Sequence, residues 1–190
     1  MRAVILALAL SLVGSAVASR DDKAAYARSM VSSLDWGVMS TISTASDTAG
    51  APFGNPQSHA EVDGNIYYYV SDVDQSMLDI AVNNQVGYTL SNAEALSSPA
   101  CGSIPYAGDE ESPLCSRLSI TGNFVNISGT DEEEQATDAL FKAHPAMKNW
   151  PADHSWFVGK LEITQLWEIN MFGGASHITP AQYYAGTDAN

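Results

Sequence analysis

The stretch from Phe157 to Ile169 constrains this chain more than any other. Phe157, Leu161, Ile163, Trp167 and Ile169 occupy odd positions, and Lys160, Glu162, Thr164 and Glu168 occupy even ones. Successive side chains of a strand point to opposite faces, so the alternation predicts one long strand whose odd positions face a core and whose even positions face water. Gly173-Gly174 is read as ending it. A single strand cannot satisfy its own backbone, so partners are required.

The sequence supplies those partners. Asp63-Gly64 suits a tight primed hairpin turn, joining an incoming strand over Gln57–Val62 to an outgoing one over Ile66–Ser71, which carries Tyr67, Tyr68 and Tyr69. Val38–Thr44, following Trp36-Gly37, reads as the first strand, and Pro52 to Pro56 interrupts the pattern after it. Gln85–Ser91 reads as another strand. Leu118 and Ile120 alternate with polar residues up to Gly122, where a bulge would let a fifth strand continue through Phe124 and Val125.

Three helices are expected around these strands. Asp21 or Asp22 can cap the first, whose Tyr26, Met30 and Leu34 share a face. Asp74–Asn83 carries Met77, Ile80 and Ala81 at helical spacing. Thr130 and Glu133 have the spacing of a capping box, and the acidic run Asp131 to Glu134 complements the positive end of a third helix. That helix presents Ala136, Ala139, Leu140 and Ala143 until His144-Pro145 stops it. About six strands and three helices with hairpin connections give an α+β chain, mostly antiparallel β, with helices packed outside a barrel.

Residues 1–18 read as a cleaved secretory leader: Arg2, an apolar run too short to span a membrane, and the small-residue end Ala16-Val17-Ala18. The remaining 19–190 has the length of one domain. With 8 basic against 22 acidic residues and a net charge of −14, a nucleic-acid partner is excluded, as is insertion in a membrane after leader cleavage. In the oxidising compartment a leader implies, Cys101 and Cys115 are expected to pair, since two thiolates with no nearby histidine make a poor zinc site. Asn126-Ile127-Ser128 is a glycosylation acceptor placed where a strand gives way to a polar turn.

The C-terminal third carries His144-Pro145-Ala146-Met147-Lys148-Asn149-Trp150-Pro151, then His154-Ser155-Trp156-Phe157, Lys160-Leu161, Ile163-Thr164 and Trp167. Phe172-Gly173-Gly174, Ile178-Thr179-Pro180, Tyr183-Tyr184, Ser112-Pro113-Leu114-Cys115, Asp35-Trp36-Gly37 and Ser40 to Thr44 extend the pattern. In order and spacing these segments resemble the CREG family of secreted glycoproteins. The resemblance implies a split β-barrel of the pyridoxamine-phosphate-oxidase-like, FMN-binding type, usually a homodimer, outside cells or in the endolysosomal lumen. It also implies a non-catalytic chain without flavin that contacts a cell-surface or sorting receptor. Glu162 stands where relatives carry a sequon Asn, which removes any contact depending on that glycan.

The rival reading from the same scaffold is an FMN-dependent oxidoreductase or flavin carrier, since fold alone does not settle function. A flavin phosphate needs cations, hydroxyls or helix N-terminal N–H groups. Ser71, Ser76 and Arg117 are the residues that could meet it. Against this, no Lys or Arg occurs between Arg28 and Arg117, and the segment that would face the phosphate carries Asp72, Asp74 and Asp79.

No nucleophile elbow, phosphate loop, dinucleotide fingerprint or metalloprotease motif is present, and no catalytic residue is assigned. His59, His144, His154 and His177 are too widely spaced to predict a metal site. Asp153-His154 reads as a loop pair satisfying backbone groups. Trp150, Trp156 and Trp167, with Pro145 and Pro151, fit either barrel core, a dimer seam or a partner-binding patch.

Overall fold

The computed structural model describes residues 20–95, 101–102 and 109–186, so the expected leader lies outside the described residues. Among the described residues, eight strands form one antiparallel sheet: β1 (Trp36–Ile42), β2 (Pro52–Ser58), β3 (Ala60–Val62), β4 (Asn65–Ser71), β5 (Gln85–Ser91), β6 (Arg117–Asn126), β7 (Trp156–Ile169) and β8 (Ser176–Ile178). The order across the sheet is β2-β1-β5-β6-β7-β4-β3, with β8 added to the far end of β7. Four helices accompany it: α1 (Arg20–Ser33), α2 (Gln75–Ile80), α3 (Glu133–Ala143) and α4 (Pro180–Ala185). The sheet is a curled half-barrel, a split β-barrel, covered on both faces.

The expected count of six strands and three helices falls short of these eight and four. Pro52 to Pro56 does not interrupt the sheet but lies within β2, which hydrogen-bonds only to β1 and closes one edge. An edge strand can hold proline because one side of its backbone needs no partner. The incoming hairpin strand is split at His59, with Gln57 and Ser58 in β2 and only Ala60–Val62 in β3. Asp63 and Gly64 turn the hairpin with φ of 51° and 86°, as the primed turn requires. Asp21 and Asp22 lie inside α1 rather than before it.

The long strand exists, but its alternation changes phase. Leu161 and Ile163 are buried, yet beyond Gln165 it is Leu166 and Glu168 that turn inward while Trp167 and Ile169 are half-buried. The register explains this: Gly122 pairs with Ile163 but Thr121 pairs with Gln165, leaving Thr164 unmatched. The expected bulge therefore lies on β7, not on β6, whose alternation runs unbroken from Leu118 to Phe124. One extra residue swaps every later side chain to the other face. Gly122 lets the bulged backbone come close, since a Cβ there would lie 2.4 Å from the Glu162 carbonyl oxygen and 2.8 Å from Leu161 Cδ1. Gly122→Val is expected to cost about 2 kcal/mol by overpacking, read as a lower urea midpoint at unchanged slope.

Two cores result. Met30 and Val31 of α1 join Met39, Tyr68, Tyr88, Leu118, Ile120, Leu161 and Leu166 inside the barrel. On the outer face, α3 lays Ala136 and Leu140 over Tyr67, Ile127 and Val158. The tyrosine run is thus core on both faces, Tyr68 inward and Tyr67 outward, and only Tyr69 reaches a half-exposed position. The capping box is absent: Thr130 donates its hydroxyl to the Ile127 carbonyl and Glu133 accepts from the Gly129 N–H, while α3 starts three residues after Thr130. Cys101 and Cys115 are joined by a disulfide, as expected.

Candidate functional site

The segment Ser71–Asp79 leaves the end of β4, turns, and forms α2, and it holds Ser71 and Ser76, two of the three residues expected from the sequence to meet a flavin phosphate. Apart from the exposed Asp72, each polar side chain in it is engaged within the protein. Ser71 donates its hydroxyl to the His154 carbonyl, and Ser71 Oγ accepts from the Val73 N–H at 3.3 Å. Asp74 caps α2, its Oδ1 accepting the Ser76 N–H at 2.8 Å. Ser76 is fully buried, and its Oγ accepts from Asn55 Nδ2 at 3.0 Å. The same amide donates to Asp74 Oδ2 at 3.1 Å. Asn55 comes from β2, the strand hidden in the proline-rich stretch, and this is why the sequence did not point to it.

Asp79 faces the other way. Its carboxylate accepts from Thr41 Oγ1 at 2.6 Å, from the Thr44 N–H at 2.7 Å, from Thr44 Oγ1 at 2.8 Å and from Gln75 Nε2 at 2.7 Å. Burial pushes this carboxyl up, but the bonds from Thr41, Thr44 and Gln75 outweigh it and hold Asp79 below the ordinary range. The charge is therefore kept, and it pins α2 to β1.

Of the three residues that could meet a phosphate, the fold brings Ser71 and Ser76 to one segment and leaves Arg117 far away. Ser71 pairs with Trp156 at one end of β7, and Arg117 pairs with Ile169 at the other. The thirteen residue steps from Trp156 to Ile169 amount to about 40 Å of strand. Two other cations are paired elsewhere: Arg28 meets Glu61 at 3.3 Å and Lys160 meets Glu132 at 2.6 Å. The segment thus offers carboxylates and occupied hydroxyls, an arrangement that repels a phosphate and does not fit a flavin nucleotide.

Beside it lies a cavity of about 270 Å³ between Tyr69, Ser71, Asp74, Trp150, His154 and Trp156. Tyr69 and Trp156 stack at 5.3 Å, and Trp150 lies 4.7 Å from Trp156, forming an aromatic ledge. Trp156 donates its indole N–H to the Pro151 carbonyl. Two of the three singled-out tryptophans therefore stand together, outside both cores, whereas Trp167 lies opposite Ser119 and His177 near the far end of β7. His154 and Asp153 are exposed and 3.9 Å apart.

The histidines do not converge on a metal, and no group of three or more His, Cys, Asp or Glu suited to one occurs among the described residues. His59 is buried, its Nε2–H donating to the Val31 carbonyl and its Nδ1 facing the Tyr88 hydroxyl. Burial lowers its pKa. No described helix is long and apolar enough to cross a membrane. Two acids, Glu168 buried and Glu94 half-buried, are not singled out by the sequence. Glu168 was placed on the wet face, and the bulge carries it inward; Glu94 closes a capping box on Ser91 in a short 3-10 turn over Asn92–Glu94.

The family description "CREG, beta-barrel" matches residues 18–185. The chain belongs to the CREG family. It is 34% identical over 171 residues to Protein CREG1 of Gallus gallus, covering 86% of each chain. To Protein CREG1 of Homo sapiens it is 34% identical over 170 residues, 87% of this chain and 74% of that one. Among solved structures, a heme binding protein from Mycobacterium smegmatis superposes with a TM-score of 0.70 at 19% identity, over 90% of this chain and 62% of that one. Campylobacter jejuni ChuZ superposes at 0.60 with 17% identity, over 83% of this chain and 61% of that one. These structural likenesses establish the split barrel for this CREG chain and nothing about its ligands. Glu162 is exposed on β7.

Proposed function

We propose that this CREG chain is a non-catalytic glycoprotein of the secretory route, extracellular or endolysosomal, acting as a homodimer through protein contacts with a cell-surface or sorting receptor. Residues 1–18 are its removed leader and 19–190 its one domain. It uses no flavin, metal, nucleic acid or membrane insertion. The observation that carries the reading is the closed seat at Ser71–Asp79, where both serine hydroxyls are bonded within the protein and the nearest charges are carboxylates. Family membership and the leader pattern support the compartment. The aromatic ledge of Tyr69, Trp150 and Trp156 is the surface best suited to contact, since tryptophan and tyrosine anchor interfaces.

The test is a visible spectrum of protein purified from a secreting eukaryotic host, followed by addition of FMN. Absorbance near roughly 450 nm is expected to be absent, and added flavin is expected to leave on gel filtration. One tightly held flavin per subunit would overturn the reading in favour of the oxidoreductase or carrier.

A further inference from the structure

The end of the barrel beside α2 is left open. Val73, Leu78 and Val82 are 66%, 47% and 78% exposed along this segment. Between α2 and the adjoining ends of β6 and β7 lies a groove of about 430 Å³. Leu78, Ile80, Phe124 and Phe157 give it a carbon floor, the two phenyl rings meeting edge to face at 6.4 Å. Exposed apolar surface of this kind ordinarily has an occupant.

Asn126 stands on the rim of this groove. It lies two residues beyond Phe124 on β6, and so on the same face of the sheet. Its sequon is folded into a fixed turn: Asn126 Oδ1 accepts the Ser128 N–H at 2.9 Å, and Ser128 Oγ accepts the Val158 N–H at 3.2 Å. The side-chain Nδ2, the atom that carries sugar in an N-linked glycan, makes no hydrogen bond among the described residues. An acceptor amide is thus held at the mouth of an uncovered apolar groove.

We infer that the glycan on Asn126 folds back over this groove, its first sugar rings laying their C–H faces on Phe157, Phe124 and Leu78. The inference rests on the glycoprotein reading above. A tethered occupant suits the site because Asn126, its point of attachment, is itself one of the residues lining the groove. Tethering also raises the local concentration of the sugar far above that of any free partner. Asp72 and Asn84 on the rim supply polar atoms for hydroxyl groups around the apolar floor, the usual composition of a small-molecule site. The glycan then acts as a cover for apolar surface as well as a mark for recognition.

The experiment compares secreted protein bearing its glycan, the same protein trimmed enzymatically to one N-acetylglucosamine, and Asn126→Gln. Intact mass reports occupancy, and anilinonaphthalene sulfonate fluorescence with hydrogen exchange reports cover. Relative to the glycosylated form, Asn126→Gln is expected to raise dye fluorescence about threefold and to speed exchange at residues 78–84 about fivefold. The trimmed form is expected to stay near the intact one, because the first ring makes the contact. Adding Leu78→Ser to Asn126→Gln is expected to abolish the extra dye signal. Equal dye binding and exchange in occupied and unoccupied protein would overturn the inference while leaving glycosylation standing. An unmodified Asn126 in the mass spectrum would remove both. If Asn126→Gln does not fold, the amidase-released protein takes its place in the comparison.

Discussion

Asp79→Ala is expected to cost about 3 kcal/mol of stability, because it leaves the Thr41 hydroxyl and the Thr44 N–H without the acceptor that now satisfies them. The carboxylate is 1% exposed and takes four hydrogen bonds from three residues: Thr41 of β1, Thr44 in the loop after it, and Gln75 of α2. Urea unfolding with tryptophan emission as the probe measures the loss. Asp79→Asn keeps one acceptor oxygen and is expected to fall about halfway, while Asp72→Ala, at an exposed position, is expected to change stability by less than about 0.5 kcal/mol. A cost near zero for Asp79→Ala would show that α2 is not pinned through this residue. The outcome bears on function as well as folding. In a phosphate-binding protein this segment would turn its polar atoms outward, and here its most strongly bonded acid is turned inward as a structural pin.

How much of this was legible in the sequence depends on whether one segment or two decides the feature. Ile66 to Ser71 was readable as a strand because β4 carries its β-branched and aromatic run alone. Asp63-Gly64 gave the hairpin because a two-residue turn is a local matter. The phase change in β7 was not readable, since the unmatched Thr164 exists only relative to Thr121 and Gly122 on β6. Likewise the prolines of β2 forbid a central strand and permit an edge one, and the sequence does not say where the edge is. At the candidate site, Ser71, Ser76 and the surrounding aspartates could be named in advance. Asn55, which commits both Ser76 and Asp74, could not, because its role follows from β2 lying beside the start of α2. The distance of Arg117 from that segment was equally a product of strand order.

The phase change also produces the second large effect, a stability that falls as the solution becomes less acid. Glu168 is carried into the barrel at 0% exposure, and neither of its oxygens meets a donor at hydrogen-bond geometry among the described residues. Burial raises its carboxyl from an ordinary 4.5 to about 7, with the Lys23 ammonium and the Asn170 amide opposing the rise. Glu94 is raised to about 7 in the same way, against the Ser91 N–H. For an acid raised on folding, the native state keeps its proton while the unfolded chain has released it. Its stabilising share is complete below about pH 4.5 and is lost as pH climbs toward 7. For Glu168 the span corresponds to about 3 kcal/mol. Glu168→Gln, which fixes the neutral form, is therefore expected to raise the thermal midpoint at pH 8, leave it nearly unchanged at pH 4, and flatten the slope between. Asp79 acts in the opposite sense: its depressed carboxyl contributes stability above pH 4 that fades in stronger acid, so the two groups together place the optimum near pH 4 to 5. A thermal midpoint that rises from pH 5 to 8, or a Glu168→Gln protein that keeps the wild-type slope, would show that the inward carboxyl is already ionised at pH 5 in the native fold. An optimum in acid would suit the proposed endolysosomal destination better than the neutral extracellular fluid.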